Sequence, residues 1–147
     1  MKKIFALLSL VLMCVSCLPD DSDYPKYHLE LVPIDSVEIP MFFVQGETYD
    51  IKLFYKKLST CHYPNGFYYQ SEFNSRTIAV ENVVYQRDDC STDIPEEDLI
   101  QQMNFDFKVT QQEETVYTFK FYQGTEENGT PIYLIVEVPV QKLEEEK

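Results

Sequence analysis

Apolar and polar side chains alternate with a period of two along most of the chain beyond residue 26. This alternation is clearest in four segments, at residues 49–55, 105–109, 117–121 and 132–140. It indicates strands that bury one face in a core. Residues 77–86 are apolar on both faces, which is typical of a central strand. Shorter strands are predicted at 27–32, 37–40 and 67–72.

Turn-forming residues separate these segments, as at 45–47, 63–66 and 124–129. One short helix is predicted at about 95–103, because Pro95 suits a first turn and the acidic residues after it favour its positive end. About seven strands with a turn roughly every ten residues indicate a β-sandwich. We therefore predict an all-β, immunoglobulin-like antiparallel β-sandwich at 27–142, followed by a solvated tail at 143–147. The chain has no Trp, so this prediction depends on the strand pattern alone.

The composition narrows the possible partners. The 147 residues include 12 basic and 25 acidic side chains, which give a formal net charge of −13. A nucleic acid is therefore not an expected partner, because its phosphates would repel this chain. The chain has 11 Tyr and 10 Phe but only 4 Gly, so it is neither collagen-like nor wholly disordered.

The first 16 residues have the pattern of an export signal. Lys2 and Lys3 precede an apolar run at 4–13, which is too short to span a bilayer as a mature helix. We predict a signal peptide at 1–16.

The junction Cys14-Val15-Ser16-Cys17 resembles the lipobox of bacterial lipoproteins. Cys14 stands where that family prefers Leu, a relaxation that is common in Bacteroidota lipoproteins. The resemblance implies that Cys17 is lipidated and becomes the first residue of the mature protein. An ordinary secretory peptide that is cleaved elsewhere is the alternative.

The charge of the mature chain bears on how it is held at a membrane. Residues 1–16 carry two lysines and no acid, so their removal leaves 10 basic and 25 acidic residues and a net charge of −15. Anionic headgroups repel such a surface, so the lipid has to supply the anchor.

Residues 17–26 are predicted to form a solvated acidic tether. The aspartates at 20–23 resemble the surface-export signal of Bacteroidota lipoproteins. This implies an outer-membrane lipoprotein of the cell envelope that faces outward, and a plain charged spacer is the alternative.

Cys61 and Cys90 remain as an even pair in an exported chain, which predicts one disulfide. If successive strands reverse direction, both cysteines emerge at the same end of the sandwich, as a bridge requires. The segment 61–90, which includes Arg76-Thr77-Ile78-Ala79-Val80, is similar to small Bacteroidota lipoproteins. That resemblance implies location and fold but no activity.

The end of the sandwich near these cysteines holds the candidate binding residues. They are His62, Tyr63, Phe67, Tyr68 and Tyr69. Aromatic side chains on loops that a disulfide holds in place can stack on a sugar ring or clamp a peptide. In the alternative interpretation, Phe67 and Tyr69 point into the core and Tyr68 covers a sheet face.

His62 lies near the acidic pair Asp88 and Asp89, which makes it a candidate for metal binding or proton transfer. No further ligand spacing accompanies it, so we predict no metal, no cofactor and no catalytic residue. The segment Asp35-Ser36-Val37 resembles a short O-glycosylation motif of Bacteroidota exported proteins, although Ser36 can also simply begin a strand.

These observations predict a lipid-anchored, non-enzymatic binding module whose partner is an envelope protein or a glycan. Two alternatives remain open. The first is a structural or adhesion component that assembles through its sheet edges. The second is an enzyme, which would need a pocket that holds His62 and a carboxylate within hydrogen-bonding distance.

The lipid anchor predicts the behaviour of a Cys17→Ala variant. Without the sulfur that carries the acyl chains, the protein should incorporate no labelled fatty acid and should leave the membrane fraction. Labelling of cells followed by fractionation measures both properties. An unmodified Cys17 in the membrane-bound wild-type protein would contradict the prediction.

Overall fold

Two facing sheets make up the structure, a computed structural model that describes residues 25–112 and 114–142. The described elements are, in chain order, β1 (Tyr27–Val32), β2 (Ile34–Glu38), β3 (Phe43–Val44), β4 (Thr48–Lys56), β5 (His62–Glu72), β6 (Ser75–Tyr85), α1 (Glu96–Leu99), β7 (Ile100–Lys108), β8 (Val116–Thr125) and β9 (Pro131–Gln141). The all-β sandwich predicted above is confirmed. The predicted signal peptide, Cys17, nearly all of the tether and the tail at 143–147 lie outside the described residues.

The strands divide unequally between the two sheets. Sheet A contains β5, β6, β1, β8, β9 and β3, and sheet B contains β2, β4 and β7. Pro33 separates β1 from β2, so that β1 pairs with β6 in sheet A while β2 pairs with β4 in sheet B. Proline has no backbone N–H to donate to a ladder, which suits a point where the chain changes sheets.

Strand number and direction differ from the prediction of about seven antiparallel strands. Nine strands lie within the described ranges, and two pairings, β3 with β9 and β6 with β8, are parallel. One edge of β6 pairs with β1 along residues 80–85, so only residues 75–78 of that edge are open to β8. Alternation has the same period in either direction, and the sequence pattern therefore did not reveal these parallel pairs.

The predicted helix is shorter than expected. It ends at Leu99, and Ile100 already has extended backbone angles. Residues 100–108 pair with β4 along their whole length. Residues 100–103, which were predicted to be helical, are therefore part of strand β7. No helix in the part of the chain that the structure describes is long and apolar enough to cross a membrane.

Aromatic rings fill the space between the sheets. Phe107 lies 5.0 Å from Tyr117 and 5.1 Å from Phe119 between ring centroids, and Phe43 lies 5.3 Å from Phe107. Most of these contacts are edge-to-face or tilted, geometries that stabilise a pair by about 0.5–1.5 kcal/mol beyond the burial of its area. The aromatic cluster joins β7 of sheet B to β8 of sheet A.

Tyr117 also ties the connection between β7 and β8 to the core. Its hydroxyl oxygen accepts hydrogen bonds from the backbone N–H groups of Thr110 at 3.0 Å and Gln111 at 2.9 Å. The ring is fully buried at the start of β8. This arrangement is a tyrosine corner, a feature of β-sandwiches in which a buried hydroxyl satisfies the backbone of the preceding loop.

The predicted disulfide between Cys61 and Cys90 is present. It joins the residue before β5 to the segment after β6, with 5.4 Å between the two Cα atoms and a sequence separation of 29. Thr60 N–H donates to the Ser91 carbonyl at 2.8 Å beside the bridge. Closing a loop of this length stabilises a fold by roughly 3–4 kcal/mol in the chain-entropy model.

The aromatic core predicts the cost of removing one ring. Phe119→Ala should lower the free energy of unfolding by about 3–5 kcal/mol, because it leaves a cavity among four neighbouring rings. Phe73→Ala is the matched control, since Phe73 is 89% exposed and its loss should change stability by less than about 0.5 kcal/mol. Urea denaturation of both variants measures the difference. Equal midpoints for the two would contradict this account of the core.

Candidate functional site

The five predicted binding residues lie on strand β5, where neighbouring side chains point to opposite faces. His62, Phe67 and Tyr69 are on the side that faces sheet B, because they pair with the buried residues Val84, Val80 and Ile78 of β6. Tyr63 and Tyr68 are on the outer face of sheet A. The structure therefore does not bring the five side chains to one surface.

His62 is buried in a polar contact network. Its Nδ1 lies 2.7 Å from Ser59 Oγ, and that oxygen accepts a hydrogen bond from Cys61 N–H at 3.1 Å. The Ser59 hydroxyl therefore bridges the His62 ring and the backbone of Cys61. Nε2 faces Glu30 Oε2 at 3.4 Å.

The carboxylate nearest His62 is not one of the two that the sequence suggested. The partner of His62 is Glu30 of β1, whereas Asp89 pairs with the neighbouring Arg87 at 2.9 Å. Cys61, Cys90 and Asp89 bring potential metal-ligand atoms within 4.8 Å of one another. Both sulfurs are bonded in the disulfide, and they lack the thiolate form that binds metals.

The outer face of sheet A carries a concavity that we call the outer notch. It exists because β1 and β8 share one edge of β6 and leave a gap between them. Its volume is about 310 Å³, and Ala79 of β6, which is almost fully buried, forms its floor. The lining residues are Leu31, Tyr68, Thr77, Ala79, Tyr122, Thr125, Gly129, Pro131 and Tyr133.

Three tyrosines form the walls of the outer notch, and hydrogen bonds orient two of them. The Tyr68 hydroxyl donates to Gln70 Oε1 at 2.9 Å, and the Tyr122 hydroxyl lies 2.8 Å from Thr125 Oγ1. The rings of Tyr122 and Tyr133 approach edge-on at 6.3 Å. The notch therefore presents aromatic rings and phenolic oxygens in a defined arrangement.

A second group of tyrosines lies on the same face, nearer the disulfide. The Tyr85 ring is 6.1 Å from that of Tyr27 and 5.6 Å from that of Tyr63. Lys57 Nζ lies 5.9 Å from the centre of the Tyr63 ring. Among the described residues, the outer face of sheet A thus carries six tyrosines, which are Tyr27, Tyr63, Tyr68, Tyr85, Tyr122 and Tyr133.

A second concavity, the sheet-edge cleft, opens between β5 of sheet A and β7 of sheet B. Its volume is about 410 Å³, and it is lined by Phe67, Tyr69, Ser71, Arg76, Phe105, Asp106, Phe107, Lys108 and Thr110. Phe67 and Phe105 meet across it with 5.5 Å between ring centroids. Phe67 and Tyr69 are about two-fifths exposed although they face sheet B, because the cleft is open to solvent.

Arg76 lies at the inner side of the sheet-edge cleft and is only 5% exposed. Its Nη1 donates to the carbonyl oxygens of Phe73 and Ser75, both at 2.8 Å. Its guanidinium carbon is 4.9 Å from the centre of the Tyr117 ring. Burial raises the pKa of Tyr69, while the charge of Arg76 and its hydrogen bonding to the phenol act in the opposite direction.

Sequence reasoning did not single out Arg76, Tyr122 or Tyr133 as site residues. The alternation at 117–121 does indicate that Tyr122 faces away from the core, so one signal was present. The gap beside Ala79 depends on how β1 and β8 share one edge of β6. The alternation of apolar and polar residues does not indicate which strands share an edge.

No family model, curated protein or solved structure matches this chain. The function is therefore argued from the residues of the site.

The contacts of His62 predict a structural role for Ser59. Ser59→Ala removes the hydrogen-bond partner of His62 Nδ1 and of Cys61 N–H, so it should lower the free energy of unfolding by about 1–3 kcal/mol. Ser36→Ala, at an exposed position of β2, is the control and should change it by less than about 0.5 kcal/mol. Chemical denaturation measures both, and equal stability of the two variants would argue against the network.

Proposed function

We propose that this chain is a lipid-tethered, non-enzymatic binding module of the bacterial cell envelope, and that its outer notch binds a glycan. In this proposal, the lipid on Cys17 holds the module at the outer membrane, as in the Bacteroidota lipoproteins that its first residues resemble. The observation that carries the binding proposal is the group of three tyrosines around a concavity of about 310 Å³.

The chemistry of the outer notch suits a sugar. A sugar ring presents C–H groups on its faces and hydroxyl groups around its rim, and tyrosine offers an apolar ring together with a polar tip. Tyr122 and Tyr133 supply the rings, while the phenol of Tyr68 and the hydroxyl of Thr125 supply hydrogen-bonding groups. The volume is at the lower end of the range of roughly 300–1,000 Å³ for small-ligand sites, which favours a single sugar unit over a long segment.

Charge favours a neutral glycan. None of the described residues that line the outer notch is charged, so nothing there balances an acidic sugar. The formal net charge of the whole chain is −13, which opposes the approach of an anionic polymer. A protein is the alternative partner. It would contact the group formed by Tyr27, Tyr85 and Tyr63 on the same face of sheet A.

The two alternative functions receive less support. Assembly through sheet edges needs an edge that is open to pairing, and two edge strands are poor candidates: β5 contains Pro64 and a bulge between Pro64 and Gly66, and β7 carries Asp106 and Lys108. Such residues protect edges from further pairing. The enzyme hypothesis needs a pocket that holds His62 and a carboxylate. Glu30 lies 3.4 Å from His62 Nε2, but His62 is buried and lines neither the outer notch nor the sheet-edge cleft.

A binding experiment on the outer notch tests the proposal. The wild-type domain is compared with Tyr68→Ala and Tyr122→Ala by affinity electrophoresis through gels that contain neutral polysaccharides, such as a β-glucan, a mannan or a xylan. At least one polysaccharide should retard the wild-type protein, and each substitution should weaken the interaction about tenfold or more, which corresponds to about 1.4 kcal/mol.

Phe73→Ala serves as the matched control because it removes an exposed aromatic ring that does not line the outer notch. Its mobility should equal that of the wild-type protein in every gel. Retardation that all three variants retain would place glycan binding elsewhere. A lack of retardation by every polysaccharide, together with capture of a protein that Tyr63→Ala abolishes, would replace the glycan with a protein partner.

A further inference from the structure

We propose a second ligand site in the sheet-edge cleft, where Arg76 binds the carboxylate of a small ligand with an aromatic body. This proposal is independent of glycan binding, because the cleft lies between the sheets and the outer notch lies on the outer face of sheet A. The two concavities share no lining residue among those described.

The first argument is the unbalanced charge of Arg76. Within residues 25–112 and 114–142, no carboxylate oxygen lies within 4.0 Å of its nitrogens. Its Nε is buried without a hydrogen-bond partner. Buried charges in proteins are normally paired, since removing a lone ion from water costs several kcal/mol. A bound anion supplies the counter-charge that the fold leaves out.

The existing contacts of Arg76 do not replace an anion. The carbonyls of Phe73 and Ser75 accept from Nη1, the phenol of Tyr69 interacts with the guanidinium, and the ring of Tyr117 faces it, but all of these groups are neutral. They hold the guanidinium in one orientation and reduce the cost of burying it. A preorganised guanidinium is the group that proteins use for planar, bidentate recognition of a carboxylate.

The remaining charges at the cleft favour a singly charged ligand. Asp106 and Lys108 both line it and carry opposite charges, so Arg76 supplies the net positive charge. A carboxylate balances that charge, whereas a doubly charged phosphate would bring excess negative charge close to Asp106.

The walls of the cleft define the rest of the ligand. Phe67 and Tyr69 from β5 face Phe105 and Phe107 from β7 across a volume of about 410 Å³. Apolar walls with one convergent charged group are the usual composition of a small-molecule site. Aromatic walls accept a ring in edge-to-face or offset contact. Together with the carboxylate that Arg76 binds, this makes the proposed ligand an aromatic carboxylate.

Calorimetric titration of the full chain with 3-phenylpropionate tests the site, with 3-phenylpropanamide as the uncharged counterpart. The wild-type protein should bind the acid about tenfold or more tightly than the amide. Arg76→Gln should remove this preference, so that the acid and the amide bind equally weakly. Arg87→Gln is the matched control, because Arg87 is exposed and pairs with Asp89 outside the cleft, and it should leave the preference unchanged.

Phe67→Ala covers the case in which Arg76→Gln does not fold. It retains Arg76 and removes one wall, so both ligands should bind several-fold more weakly while the preference for the acid remains. Equal affinity of the wild-type protein for acid and amide would overturn the proposal, and so would an absence of binding to either. Neither result bears on glycan retardation, since the two concavities share no lining residue among those described.

Discussion

The structure depends on the way in which strand β6 shares one of its edges. β6 pairs with β5 along one side, while β1 and β8 divide the other side at residues 80–85 and 75–78. A strand edge offers a single row of backbone hydrogen-bonding groups, so two partners of opposite direction cannot both extend along it. The gap between them forms the outer notch above Ala79, and the first residues of β6 place Arg76 at the cleft between the sheets.

Two buried polar side chains face sheet B at opposite ends of the β5–β6 pair, with His62 at the start of β5 and Arg76 at the start of β6. They differ in whether a carboxylate of the chain lies close to them. His62 has Ser59 on Nδ1, and the Glu30 carboxylate lies 3.4 Å from Nε2, so a carboxylate is close to it within the chain although Nε2 makes no hydrogen bond among the described residues. Arg76 has neutral acceptors and an aromatic face but no carboxylate partner among the described residues. A buried histidine with partners at hand stabilises a fold, whereas an uncompensated guanidinium beside an open cleft favours a ligand.

The candidate site could be predicted only in part. The residues predicted near Cys61 include Tyr68 of the outer notch and Phe67 and Tyr69 of the sheet-edge cleft, because aromatic residues cluster in that segment of the sequence. Their division between two concavities follows from the alternation of side chains along β5 and from its bulge after Pro64. Tyr122, Tyr133 and Arg76 come from other strands, and only the pairing of those strands brings them to the same concavities.

The sequence by itself determined the all-β class, most of the strands and the disulfide, because these depend on the period of the apolar residues and on a single pair of cysteines. It did not determine every turn or the end of the helix, since the turn predicted at 63–66 lies within β5 and the helix predicted to reach about residue 103 ends at Leu99. It also carries the lipobox-like junction at Cys17, on which the proposed anchor depends. The tertiary structure alone decided strand direction, the parallel pairing of β6 with β8, and both concavities. Those features arise from long-range competition for strand edges, and a local pattern of apolar residues is the same whichever neighbour a strand acquires.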